Sequence, residues 1–251
     1  MGQDTSAFWG NARYSPILEL RQYTTYPGKR DVLIALFEKF FIEKHEELGA
    51  ELVGLFRELN HPDLYVWLRG FPDMETRRTM LEGFYSSQIW MAHREEANST
   101  MVDSDNVLLL REAWPGSGFH VGPRNSGAKE ITPKAGIVTA TVCYFDARPS
   151  EYFISLFENV LTPVLTKAGG PPIATFVTEY SANNFPRLPV REGENVFVWF
   201  ARFDSQESYH EYRENLTGEG DWYYLLTRSK VSLSRPPEVI ELLPTLRSKL
   251  W

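Results

Sequence analysis

Two stretches of this chain write nearly the same strand. Residues 63–71 read DLYVWLRGF and residues 195–203 read NVFVWFARF, each alternating around a Val-Trp pair. Trp67 and Trp90 stand as far apart as Trp199 and Trp222. A strand that recurs with its downstream tryptophan in step points to a duplicated unit, and strict alternation identifies the element as β.

The flanking segments extend the repeat. In the first half, ILELRQYTT (17–25) reads as a strand, followed by a helix with Leu33, Leu36, Phe37, Phe40 and Phe41 on one face and Gly49 at its end. ELVGLFRE (51–58) and LYVWLRGF (64–71) are the next two strands. A helix capped by Asp73 follows, helical pattern resumes around Trp90, and NVLLLR (106–111) closes the unit. The order is β-α-β-β-α-β, the split βαβ pattern of ferredoxin-like folds. The second half repeats it, from GIVTATVCYF (136–145) to EVIELLP (238–244), with one long loop, SANNFPRLPVREGE, inside its hairpin. The expected division is an N-terminal extension over 1–15, a first unit over 16–112, a Gly- and Pro-rich linker over 113–134, and a second unit with its tail over 135–251.

Composition narrows the function classes. A hydrophobic content of 43% with 14% aromatics supplies a packed core. A net charge of −7 argues against a nucleic-acid partner, which needs a basic surface to meet phosphate. No apolar run is long enough to span a bilayer, and the first residues lack the apolar core of a secretory signal. Cys143 is the only cysteine, so no intrachain disulfide forms; a cytoplasmic location is expected.

A ferredoxin-like unit covers one sheet face with helices and leaves the other bare. With Leu64, Val66 and Leu68 assigned to the covered face, Tyr65, Trp67, Arg69 and Phe71 fall on the bare one, matched by Phe197, Trp199, Ala201 and Phe203. Two such faces in one chain should pack together as a pseudo-dimeric α/β barrel of the α+β class, with an aromatic-lined interior. The first strand is asymmetric between the halves: Glu19, Arg21 and Tyr23 stand against Thr139, Thr141 and Cys143. Buried charges are retained when paired or when a ligand offsets them. Glu19, Arg21, Arg69, Trp67 and Trp199 are therefore the candidate binding residues, with Arg57 as a further source of positive charge. Tyr23 and His93 are the candidate catalytic residues, the latter from the face Trp90, His93, Arg94, Ala97. The plainer alternative is that Glu19 bridges an arginine structurally and the aromatics fill a sandwich core. His45, at the edge of its helical stripe, is a lesser candidate. A second possible location is the cleft beneath the long second-half loop.

No phosphate loop, GxSxG, HExxH or dinucleotide fingerprint occurs. No cofactor or metal is expected, although one axial histidine would suffice for haem.

ELRQYTTYPGK resembles the first-strand signature of the NIPSNAP family. VWLRGFPDMETRRTMLEGFYSSQIWMAHREEANSTMVDSDNVLLLR is similar to a bacterial NIPSNAP domain, and EVIELLPTLRS to the family's strand-and-tail ending. The resemblance covers most of both halves and implies a dimeric α/β barrel. The family has no agreed catalytic set, so it assigns no residue roles. Two functions stand: an enzyme, working without a cofactor on a small anionic or carbonyl-bearing, partly apolar molecule, or a non-catalytic binding scaffold. A homo-oligomer is expected in either case.

Overall fold

The repeated pattern builds a closed eight-stranded antiparallel barrel. A computed structural model describes residues 13–122, 136–216, 222–229 and 231–250. The first unit runs β2 (Ile17–Thr25), α1 (Arg30–Leu36), a π-helical turn (Phe37–Phe41), α2 (Ile42–Glu47), β3 (Glu51–Glu58), β4 (Leu64–Phe71), α3 (Met74–Tyr85), α4 (Gln88–Thr100) and β5 (Met101–Glu112). The second runs β7 (Ile137–Tyr144), α5 (Glu151–Leu156), a π-helical turn (Phe157–Leu161), α6 (Thr162–Ala168), β8 (Pro172–Thr178), β9 (Val196–Phe203), α7 (Gln206–Asn215), α8 (Trp222–Arg228) and β10 (Arg235–Pro244). Both units have the β-α-β-β-α-β order. Two short strands, β1 (Arg13–Ser15) and β6 (Phe119–Val121), pair outside the barrel. β6 lies in the stretch expected as linker; the rest of that stretch from residue 123, and most of the N-terminal extension, fall outside the described residues.

Local chemistry sets the helix starts. Asp73, Ser87, Ser150 and Ser205 each accept a backbone N–H from the first turn of α3, α4, α5 and α7. Gly49, at φ 101°, takes the left-handed turn that carries the chain from α2 into β3. Both units interrupt the first helix with a π turn that starts on a phenylalanine.

The barrel order is β10-β3-β4-β2-β5-β8-β9-β7. The last strand of each unit joins the two halves: β5 pairs with β2 and with β8, and β10 pairs with β7 and with β3. Arg21 lies opposite Trp67 in the first unit and Thr141 opposite Trp199 in the second.

The assignment of faces is the reverse of that expected. The interior of the barrel is filled by Leu18, Leu20, Val66, Leu68, Val138, Ala140, Val142, Val198 and their neighbours, with Phe119 of β6 packed against Phe176 and Phe200. Tyr65, Trp67, Arg69 and Phe71 face the helices of the first unit, and Phe197, Trp199, Ala201 and Phe203 those of the second. Inward side chains from eight strands share one narrow space, filled here mainly by aliphatic residues with Phe56, Phe176 and Phe200 among them. Large aromatic rings fit the wider gap between sheet and helices. Trp67 and Trp199 are both buried, each beneath its own helices and not against each other. Among the described residues no helix is long and apolar enough to cross a membrane.

Candidate functional site

The inversion of faces moves the charged residues of β2 and β4 beneath α1–α4. Glu19, Arg21 and Arg69 are fully buried there, and Arg77 of α3 joins them at 0% exposure. Glu19 Oε2 accepts from Arg21 Nη1 at 2.9 Å and from Arg69 Nε and Nη2 at 2.9 and 2.5 Å. Glu19 Oε1 accepts from Arg77 Nε at 2.7 Å. Arg69 Nη1 meets His45 Nε2 at 3.1 Å, and His45 Nδ1 meets the Phe41 carbonyl at 2.7 Å. The carbonyl requires the proton on Nδ1, so Nε2 accepts from Arg69 and the ring is neutral. With both nitrogens engaged, His45 has no open position for a metal, and no group of three or more acidic, cysteine or histidine side chains forms a metal site among the described residues.

The electrostatics follow from three guanidinium groups around one carboxylate. Burial alone would raise the Glu19 carboxyl, but Arg69, Arg21 and Arg77 outweigh it and hold the group well below the usual carboxylate range. Burial, reinforced by Arg69, pushes His45 well below 6.5. Glu19 ionised, three arginines charged and His45 neutral leave a buried excess of positive charge. Arg21 Nη2, Arg77 Nη2 and Trp67 Nε1 are buried with no hydrogen-bond partner among the described residues. Tyr23 accepts from Arg21 Nε at 2.9 Å, which leaves its own proton to donate, and it meets Trp67 edge-on. The unused groups are donors. Such a cluster suits an anion.

The second unit lacks this set. Glu19, Arg21, Tyr23 and Arg69 are replaced by Thr139, Thr141, Cys143 and Ala201 at the matching register positions. Arg77 stands as far beyond the cap Asp73 as Tyr209 beyond Ser205, and His45 as far beyond Phe37 as Leu165 beyond Phe157. The smaller residues leave a hollow of about 250 Å³ bounded by Thr139, Thr141 and Tyr209.

The long second-half loop closes the first-unit cluster. Asn183 Oδ1 and Asn184 Oδ1 accept from Arg77 Nη1 at 3.1 and 2.8 Å, and Asn184 Nδ2 donates to the Met74 carbonyl at 2.6 Å. Phe185 and Leu188 join the first unit's apolar core, and Phe185 stacks on Tyr85. The two locations expected as alternatives are thus in direct contact. Tyr85 lies within electrostatic reach of Tyr23, Arg69 and Arg21, and burial pushes its hydroxyl up to about 12.

Not every sequence candidate is in this cluster. His93 lies half-buried on α4, stacked on Phe40 at 3.8 Å and 4.0 Å from Glu96. Trp199 packs against Phe157 and Trp222 in the second unit. Arg57 pairs with Asp31 at 2.7 Å near the surface. The expected set omitted Arg77, Tyr85 and the two asparagines. Arg77 was legible: Arg77, Met80, Leu81 and Phe84 form one helical stripe, so its charge sits on the apolar face of α3. The loop asparagines carried no local signal.

Fold and site define a single-chain α/β barrel of two ferredoxin-like units, with a charged cluster under the helices of one. Solved structures share that shape. A Fusobacterium nucleatum protein provisionally assigned as a monooxygenase is 12% identical over 92% of this chain and 93% of its own, with a TM-score of 0.56. A Lactobacillus acidophilus protein with the same provisional assignment is 11% identical over 92% and 94%, with a TM-score of 0.52. An anthrone oxidase-like protein is 12% identical over 91% of each chain, also at 0.52. At such identities the likeness concerns the fold alone. No curated protein matches the sequence at a significant level. Residues 18–114 match the NIPSNAP family profile, so the likeness to that family covers the first unit.

Proposed function

We propose that the chain is an enzyme of small-molecule metabolism whose first unit binds an anionic or carbonyl-bearing, partly apolar substrate, without need of a bound cofactor. The site is the Glu19–Arg21–Arg69–Arg77 cluster under the helices, not the barrel interior. One observation carries this reading: three buried arginines share a single carboxylate, with an N–H-bearing nitrogen of Arg21 and one of Arg77 unpaired. Leaving buried charged donors unsatisfied is costly, and an anion at the cluster removes that cost. In a water-poor site, such donors stabilise an oxyanion or enolate as it develops. Arg21 and Arg77 meet the charge, Tyr23 donates its hydroxyl proton, and Glu19 with His45 fixes the guanidinium planes. The provisional monooxygenase assignments of two structural neighbours suit this class, since an oxygenase that uses no cofactor must hold an electron-rich anion.

The completeness of Glu19's own pairing favours a second reading, in which the cluster only binds or braces. Replacing Glu19, Arg21, Arg69 and Arg77 together by Thr, Thr, Ala and Tyr copies the set that the second unit already packs. Inorganic phosphate should raise the melting temperature of the native protein and leave that variant unmoved; saturation a hundredfold above Kd corresponds to about 2.7 kcal/mol. Native mass spectrometry should show a small molecule retained by the first protein and absent from the second. Equal responses of the two, or none in either, would refute the ligand site.

A further inference from the structure

Beside the cluster, an open cleft of about 270 Å³ is lined by Tyr85, Trp90, Arg94, Asn98, Phe185 and Arg187. Three aromatic rings form its walls. Tyr85 meets Trp90 edge-on at 5.0 Å and Phe185 face-on at 5.6 Å. Arg94 and Arg187 are exposed at the cleft, and neither belongs to an ion pair among the described residues. Among the described residues the only polar contact of Arg94 there is a long one, 3.7 Å to the Met91 sulfur. Two guanidiniums thus stand beside three rings on a chain of net charge −7.

The cleft is joined to the buried site at two points. Tyr85 forms its inner wall and interacts with Tyr23, Arg69 and Arg21 behind it. Arg77 holds Asn183 and Asn184, which position Phe185, with Asn183 Oδ1 accepting the Phe185 N–H at 3.1 Å. The outer wall is therefore braced by the cluster's own arginine.

We propose that this cleft is the outer half of the site, and that the substrate is a planar aromatic carboxylate of one or two fused rings. The ring lies among Tyr85, Trp90 and Phe185, and the carboxylate meets Arg94 and Arg187. Guanidinium pairs a carboxylate through two parallel N–H donors and also stacks on aromatic faces, so both halves of such a molecule are recognised. The volume limits the ligand to a small one. The inner edge of the ring then faces Tyr85 and the buried arginines, and in that respect alone the proposal rests on the function proposed above.

The test uses the full chain with 2-naphthoate and its neutral counterpart 2-naphthylmethanol, measured by isothermal titration calorimetry. Naphthoate should bind at least tenfold more tightly than the alcohol. Arg94→Ala/Arg187→Ala, changed at two exposed positions, should abolish that preference while the melting temperature and circular dichroism stay as they were. Equal affinity for the two probes, an unaltered preference in the double variant, or no saturable naphthoate binding below about 1 mM overturns the proposal. Arg69→Lys separates the two readings. If it leaves naphthoate binding intact while the double variant loses it, the cleft stands and binds without help from the buried cluster, whose own ligand is tested by the phosphate experiment above. If only Arg69→Lys weakens binding, the cleft is wrong.

Discussion

At the residue scale, the chemistry of His45 has a measurable consequence. It is neutral in the folded protein because burial and Arg69 depress its pKa, whereas in the unfolded chain it titrates near 6.5. Below that pH the unfolded state binds a proton that the folded state does not, so stability falls as pH drops. Glu19 acts in the same direction further down: its carboxylate is held ionised when folded, and its contribution is lost as pH falls below the ordinary value of 4.5. The urea midpoint should therefore decline between about pH 7.5 and about pH 5.5, before ordinary carboxylates titrate. His45→Gln should flatten that part of the curve. An equally steep decline in the variant would mean that another group is responsible. Cys143, in the place of Tyr23, is inert by comparison, since burial pushes its thiol up.

At the element scale, the second-half loop is the piece that closes over the first-unit cluster. Its backbone is tied at Arg191, whose N–H donates to the Val107 carbonyl at 2.8 Å, and its apolar anchors are Phe185 and Leu188. Removing the Phe185 ring should destabilise the protein by about 3 kcal/mol, the lower end for a core Phe→Ala because the site lies near the surface. The same variant should speed hydrogen exchange at the backbone amides of residues 183–190 while those of β2 and β4 remain protected. If exchange in the loop is unchanged, Phe185 is not what holds it down. The paired π turns are a second element-scale feature. Phe37 and Phe157 open them and pack on Trp67 and Trp199, at 4.7 and 5.1 Å. The duplicated irregularity thus serves the same contact in both units, so it belongs to the fold and not to the charged cluster alone.

At the scale of the whole molecule, the two units share one barrel. β5 is hydrogen-bonded to β8 and β10 to β3, the second-half loop covers first-unit residues, and the tail returns to the first unit. There Ser248 accepts the Leu55 N–H, and Lys249 pairs with Glu51. Neither unit can lose its structure without exposing the apolar barrel interior of the other. Calorimetry should show one unfolding transition, with calorimetric and van't Hoff enthalpies in agreement. Phe157→Ala, in the second unit, should lower it as a whole, with no separate first-unit melt. Two resolved transitions would show that the halves fold independently.

The sequence by itself determined the duplication, the order of elements, and the register that places Trp67 with Trp199. Those follow from alternation, helical periodicity and turn residues, which are local and were legible in single segments. It also marked Glu19, Arg21 and Arg69 as anomalous, because a charge at an inward position has a cost wherever the strand ends up. It could not say which side of the sheet those residues face. Both faces of this sheet are covered, so the strands alternate between two kinds of apolar residue and lack the apolar–polar contrast that would mark one face as wet. Only closure of the barrel decided it, by turning Val66, Leu68 and Ala140 into the narrow interior and Trp67, Arg69 and Trp199 beneath the helices. Closure also brought Asn183, Asn184 and Phe185 to Arg77 and Tyr85, pairs about a hundred residues apart in the chain. Contacts of that kind leave no periodic trace in sequence, because the distance that matters is fixed by strand pairing between the two units.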